Sequence, residues 1–268
     1  MTTKVRGNLR PAAGSAPARR LPSAWLVLAA ALAVRLTALA VAFDPELAFS
    51  KYLTLARQLI ADGWVNPEPW AYAPSYVHLV AVVLRAGGSP WTLALLQVAL
   101  GSVTCVLLLH LARRLFGPAE GVVAGGVAAL FGPFVIHDIE LLSDAFGLVL
   151  YAAVALAAVV GLRRPGPAPW AATGVLLGLR ALQRPNALLL LPLLVAVLLV
   201  VVRRRHGGRR VVAASVALVA ACLLTLAPMA VQNWRAAGEL IPVTASGGYV
   251  FYTANNLAAT GVSYYPPP

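Results

Sequence analysis

Apolar runs close to membrane-spanning length recur along this chain of 268 residues, separated by short arginine clusters. A hydrocarbon core of about 30 Å needs about 20 apolar residues in helical form. Runs at 24–43, 92–112, 119–136, 142–162, 168–182, 186–202 and 210–231 meet or approach that length. No water satisfies the backbone inside lipid, so only helices and closed barrels cross it. Runs this long, rich in Ala, Leu and Val, lack the alternation of a barrel strand. They predict an all-α, polytopic transmembrane bundle of about seven spans. Composition agrees, with 60% hydrophobic residues, 11% charged and a mean hydropathy of +0.80.

The charges set an orientation. Lys4, Arg6, Arg10, Arg19 and Arg20 precede the first run. Arg113-Arg114, Arg163-Arg164 and the set Arg203-Arg204-Arg205 with Arg209-Arg210 follow at alternate loops. The positive-inside rule puts all four groups in the cytoplasm. Of the nine acids only Glu120 then lies inside. The net charge of +12 is therefore topological. These clusters lack the interleaved aromatics that stack bases, so no nucleic-acid partner is expected. A first run longer than a signal-peptide core, followed by further runs, reads as an uncleaved helix.

Parity disposes of an ambiguous stretch. If 72–84, with Pro74 and His78, crossed the membrane, every later basic cluster would move outside. Its length suits an interfacial or re-entrant helix. Three regions follow: a basic cytoplasmic tail over 1–22, a membrane domain over 23–231 with an external loop over 44–91, and an external segment over 232–268. Within the loop, Leu47–Asp62 carries apolar residues at helical spacing and predicts an amphipathic surface helix. Cys105 and Cys222 lie in apolar runs and read as packing residues. The Gly121/Gly125 and Gly174/Gly178 pairs have the spacing of close helix contacts.

The scarce polar residues converge on the outer side. The first loop brings Asp44, Glu46, Lys51, Tyr52 and His78; the second brings His137, Asp138, Glu140 and Asp144. Arg180 and Arg184 flank the turn between two short runs, and Asn233, Arg235, Gly247-Gly248, Tyr252, Asn255 and Asn256 follow the last run. Arginine suits phosphate because its planar fork donates two parallel hydrogen bonds. Arg35 lies about two turns inside the first run, where a cation needs a partner or a route to water; Asp44 and Glu140 are the expected partners. His137, Asp138 and Glu140 leave a divalent metal open. Arg184-Pro185-Asn186 also reads as a tight turn. Gly247-Gly248, which resembles no phosphate-cradling loop with a helix behind it, reads on its own as a turn.

Four stretches in this order resemble the membrane-embedded part of the GT-C glycosyltransferases. The branch is the bacterial family 39, similar to protein mannosyltransferases and to the aminoarabinose transferase of lipid A. The stretches are Arg35 with Asp44 and Lys51–Ala56; Gly132-Pro133-Phe134 leading to Glu140–Asp144; Gly178-Leu179 through Arg184-Pro185-Asn186 to Pro192; and Pro228 with Asn233, Gly247-Gly248, Phe251-Tyr252 and Asn255-Asn256. The resemblance runs over about residues 24–265 and implies an N-terminal portion of such an enzyme. It further implies inverting transfer of a sugar from a polyprenyl-phosphate donor to a protein, lipid or glycan acceptor, on the outer face of a bacterial-type plasma membrane.

By the same resemblance Asp44 is the base on the acceptor hydroxyl. Arg184 and Asn255-Asn256 lie at the donor phosphate, with Tyr52, Glu140 and Asp144 as further substrate-side residues. Departures are visible. Gln232-Asn233 stands where the family commonly has Arg-Asn, leaving Arg235 as the substitute phosphate contact. Ala254 replaces a glycine before Asn255-Asn256, and Asp144 stands where Glu is usual. A second reading stays open: a non-catalytic carrier of lipid-linked sugars, or a partner subunit of a transferase.

Overall fold

The computed structural model describes residues 22–45, 50–163, 166–202 and 207–256. Among these the regular structure is entirely helical. In chain order the helices are α1 (Pro22–Ala42), α2 (Ser50–Ala61), α3 (Pro74–Arg85), α4 (Pro90–Leu115), α5 (Pro118–Leu130), α6 (Gly132–Ile139), α7 (Asp144–Arg163), α8 (Pro167–Ala181), α9 (Leu190–Val197), α10 (Gly208–Ala237) and α11 (Gly247–Asn255). The expected tail over 1–22 lies, except for Pro22, outside the described residues, as does Glu46.

Local chemistry fixes the boundaries. Ser89 caps α4 in a reciprocal box with Thr92, and Pro90 takes the first helical position, where its missing N–H costs nothing. Arg113 and Arg114 occupy the last turn of α4, complementing the carbonyl end of its dipole. Gly238 closes α10 at φ 72°, a left-handed position that glycine adopts without steric cost.

Four helices have the length and apolarity of a membrane span: α1, α4, α7 and α10. The pair α5 and α6 passes the same test but bends by 54°, giving at most five among the described residues. The expected seven is not what the helices display. Pro133 interrupts the third run, because its ring cannot continue the preceding turn. The helix of the fifth run, α8, has 15 residues, about 22 Å at 1.5 Å per residue. The sixth run is divided into a 3-10 turn over Pro185–Leu189, then α9, then a π turn over Leu198–Val202. At 12 residues α3 is also too short to cross.

Helix α4 is central, packed on α1, α5, α6 and α7, while α7 meets α8 and α8 lies along α10. Glycines make the closest approaches. A Cβ on Gly174 would sit 2.3 Å from the Leu218 carbonyl oxygen, and one on Gly178 would sit 2.6 Å from Thr225 Cβ. The Gly121/Gly125 pair meets α4 similarly, at 2.7 Å from Arg113 Cβ and 2.9 Å from Leu109 Cβ. Both cysteines are buried and unbridged.

The loop helices join the main core. Leu53, Ala56 and Leu59 of α2, with Tyr76, Val77, Val80 and Ala81 of α3, share one buried cluster with Val98, Leu141, Leu177, Leu226 and Val243. The predicted amphipathic helix is therefore real over Ser50–Ala61, and its apolar face meets protein. Its first predicted turn, 47–49, lies outside the described residues. Past the expected boundary at 231, α10 continues unbroken to Ala237.

Candidate functional site

The bundle has two chemically distinct ends. At one, the Arg163 guanidinium donates to the Arg114 carbonyl, so the basic ends of α4 and α7 share a face. At the other, the end of α1 meets the start of α4 through an edge-on contact of Phe43 and Trp91, ring centroids 4.8 Å apart. Exposed Asp44 follows directly. Asp144 opens α7 at this same end, where the helix dipole favours an acid.

Three segments distant in sequence meet around Asp144. Arg184 Nη2 donates to Asp144 Oδ1 at 3.0 Å. Tyr52 donates to Ser143 Oγ at 3.4 Å, and the Gln183 amide donates to the Ser143 carbonyl. Gly147 permits that approach, since a Cβ there would sit 2.3 Å from Gln183 Oε1. Behind them Tyr76 packs edge-on against Tyr52 with centroids 4.9 Å apart and donates to Gln97 Oε1 at 3.2 Å. Gln97 Nε2 then donates to the carbonyls of Glu140 and Leu142 at 2.8 and 2.9 Å. Together these contacts hold the 140–144 turn against the first loop, α4 and the 182–184 turn. Burial pushes the Tyr76 phenol well above its ordinary range, with Tyr52 and Asp144 adding to the effect.

Arg184 owes its position to the end of α8 and the turn before Pro185. The Arg184 amide donates to the Arg180 carbonyl at 3.0 Å, and Arg184 then caps the 3-10 turn in an extended conformation. Pro185 enforces that conformation on the residue before it. The side chain is thereby set beside Asp144. One turn earlier, Arg180 stacks on the Tyr151 ring with its guanidinium carbon 4.0 Å from the centroid.

Other expected residues go elsewhere. The Arg35 partner is neither Asp44 nor Glu140 but Asp138, with Nε to Oδ2 at 2.6 Å. Asp138 faces inward from α6 and reaches α1, whereas Glu140 follows the helix end and turns to His137, 3.7 Å from its Nδ1. Asp138 thus points away from the His137–Glu140 pair, and among the described residues no three His, Cys, Asp or Glu form a metal-holding group. Arg235 lines a separate cavity of about 290 Å³ between 65–67 and 228–236. Asn255 and Asn256 bond back to carbonyls of α11, Asn255 Nδ2 to Phe251 at 2.8 Å and Asn256 Nδ2 to Tyr252 at 3.0 Å. Gly247-Gly248, read as a turn, opens that helix instead.

Asn233 is fully buried and acts as a tie. Its Oδ1 accepts from the Trp70 amide at 3.0 Å, and its Nδ2 donates to the carbonyls of Ile241 and Val243 at 3.0 and 2.9 Å. Gln232 also has a local role, since in its satisfied orientation it accepts from Trp70 Nε1 and the Asn66 amide. Sequence reasoning passed over Gln97, Gln183, Tyr76 and Ser143. Gln97 did carry a signal: an amide in the middle of an apolar run must find a partner.

Comparison with known proteins gives one positive finding. The model of the family described as dolichyl-phosphate-mannose-protein mannosyltransferase matches residues 72–234. That segment contains Glu140, Asp144, Arg180 and Arg184, while Asp44 and Tyr52 precede it. No curated protein and no solved structure matches the chain.

Proposed function

The chain belongs to the dolichyl-phosphate-mannose-protein mannosyltransferase family, membrane glycosyltransferases of the GT-C type, and from that premise we propose how it uses the cluster around Asp144. It transfers a sugar from a polyprenyl-phosphate donor to an acceptor on the extracytoplasmic face, with the N-terminus in the cytoplasm. Asp44 takes the proton of the acceptor hydroxyl. Arg184 contacts the donor phosphate, with Tyr52, Glu140 and Asp144 shaping the site around it. Arg235, Asn255 and Asn256 act on the substrate only if it extends toward the last helices.

The observation that supports this reading is the Arg184–Asp144 contact at 3.0 Å, with Tyr52 bonded to the neighbouring Ser143. It gathers the first loop, the second loop and the α8 turn at the end of the bundle opposite the Arg114–Arg163 contact. An arginine half exposed, at 54%, and held by a single carboxylate is positioned to exchange that carboxylate for a phosphate oxygen. Charges collected at one end suit one-sided chemistry better than a carrier, which needs access from both sides.

The test supplies membranes containing the full chain with a labelled sugar on polyprenyl phosphate, and in parallel on a nucleotide. The proposal expects label on an acceptor from the lipid donor alone, with Arg184→Gln lowering kcat/KM by about tenfold to a hundredfold. Transfer from the nucleotide donor, or equal rates in the variant, contradicts it.

A further inference from the structure

Arg180 is a buried cation without an anion. Its side chain is 5% exposed, and its Nε and Nη1 make no hydrogen bond. Among the described residues no carboxylate lies within ion-pair distance of it. Two features offset part of that cost. The guanidinium lies over the Tyr151 ring, and it sits in the last turn of α8, where the dipole favours a cation. Neither supplies an acceptor for the two idle nitrogens. A buried charge left unpaired is among the costlier features a fold can retain. Arg184 is one helical turn away and already turned toward the same end.

We infer that Arg180 is the inner contact of the leaving phosphate, paired with Arg184 so that the site binds a phosphomonoester dianion more tightly than a phosphodiester monoanion. The inference rests on the reading given under Proposed function and adds a residue and a charge preference to it.

The chemistry gives the preference its purpose. In the transfer, the acceptor oxygen forms a bond to the anomeric carbon and gives its proton to the Asp44 carboxylate. The bond from that carbon to the phosphate oxygen breaks, and its electron pair stays on the oxygen. The phosphate thus passes from one negative charge in the diester to nearly two in the monoester. Groups that meet the charge as it develops lower the barrier, provided they are already in place. Arg180 fits that requirement because burial and the Tyr151 ring hold it before any ligand arrives. Arg184 complements it as the exchangeable partner, leaving Asp144 for the donor phosphate and strengthening that contact as the second charge appears.

The experiment measures binding of two probes to the purified full chain: a polyprenyl monophosphate, and the same polyprenol as a hexosyl phosphodiester. Wild type is expected to favour the monophosphate by about tenfold or more, as one extra charge-assisted contact implies. Arg180→Gln should remove most of that preference while still binding the diester, and Arg180→Lys should retain part of it. A purely structural Arg180 would lower stability in the variants and leave the ratio of the two affinities unchanged. That unchanged ratio overturns the inference while leaving the proposed function standing. Wild type binding neither probe overturns both. Should Arg180→Gln fail to insert, Arg180→Lys decides alone: a reduced ratio supports the inference, and the wild-type ratio contradicts it.

Discussion

Arg35 and Asp138, 103 residues apart, form an ion pair buried to 0% and 1% exposure. Arg35 Nη1 adds contacts to the carbonyls of Ala31 and Ala129 at 3.4 and 3.2 Å. The pair fastens α1 to the bent α5–α6 segment, and Gly101 of α4 leaves room for it, since a Cβ there would sit 2.0 Å from Asp138 Oδ2. Removing one partner strands a charge. Asp138→Ala is therefore expected to cost about 3–5 kcal/mol. The double variant Arg35→Met with Asp138→Leu should cost less than either single change. Thermal melts of the purified protein check both, and a single variant melting like wild type would contradict the assignment.

The glycines offer a matched pair. Gly174 has no room for a methyl group against Leu218 and Ala221, whereas nothing lies within 4 Å of the Cβ position at Gly126. Gly174→Ala should destabilise by about 1–3 kcal/mol through separation of α8 from α10. Gly126→Ala should be neutral or slightly favourable, because alanine is the better helix former. Equal melting temperatures for the two variants would show that α8 and α10 are not packed as described.

Asn233 holds three backbone groups from two loops. Asn233→Ala leaves a buried amide and two carbonyls without that partner, at about 1–3 kcal/mol for each group that water does not reach. The loop around Trp70 and the segment 241–245 should loosen together. Limited proteolysis is expected to show faster cleavage at both places, and unchanged cleavage would contradict the tie.

Tyr76 gives a pH dependence of definite sign. Its phenol is held protonated above the ordinary value of 10.0 by burial, with Tyr52 and Asp144 contributing. In the unfolded chain the phenol ionises near that ordinary value. Above it the unfolded state binds fewer protons than the folded one, so stability falls as pH rises. Tyr76→Phe, which removes the titrating group along with the bond to Gln97, should be less stable near neutrality and show a shallower alkaline decline. A variant with the same alkaline slope would clear Tyr76 of that role.

Run length made the helical class legible from sequence, and helical spacing made α2 legible, while α3 is a helix too short to cross. The number of spans was not, because hydropathy cannot register that Pro133 bends one run and that 185–202 changes helix type twice. Arg35 was marked as needing a carboxylate, yet the choice of Asp138 over Asp44 or Glu140 depends on the α6 face that turns inward. Arg184 and Asp144 were each visible as unusual residues. Their direct pairing was not, because 40 residues separate them and only the packing of α7 on α8 closes the distance. Arg180 was visible as a charge, but its missing partner appears only once its neighbours are fixed.

Transfer of labelled sugar from polyprenyl phosphate in membranes, by the wild-type chain and by Asp44→Asn with insertion verified for both, tests the central claim most directly. The account predicts Asp44-dependent label on an acceptor, with a loss of about a hundredfold or more in the variant, as for removal of a general base. Undiminished transfer by Asp44→Asn would contradict it.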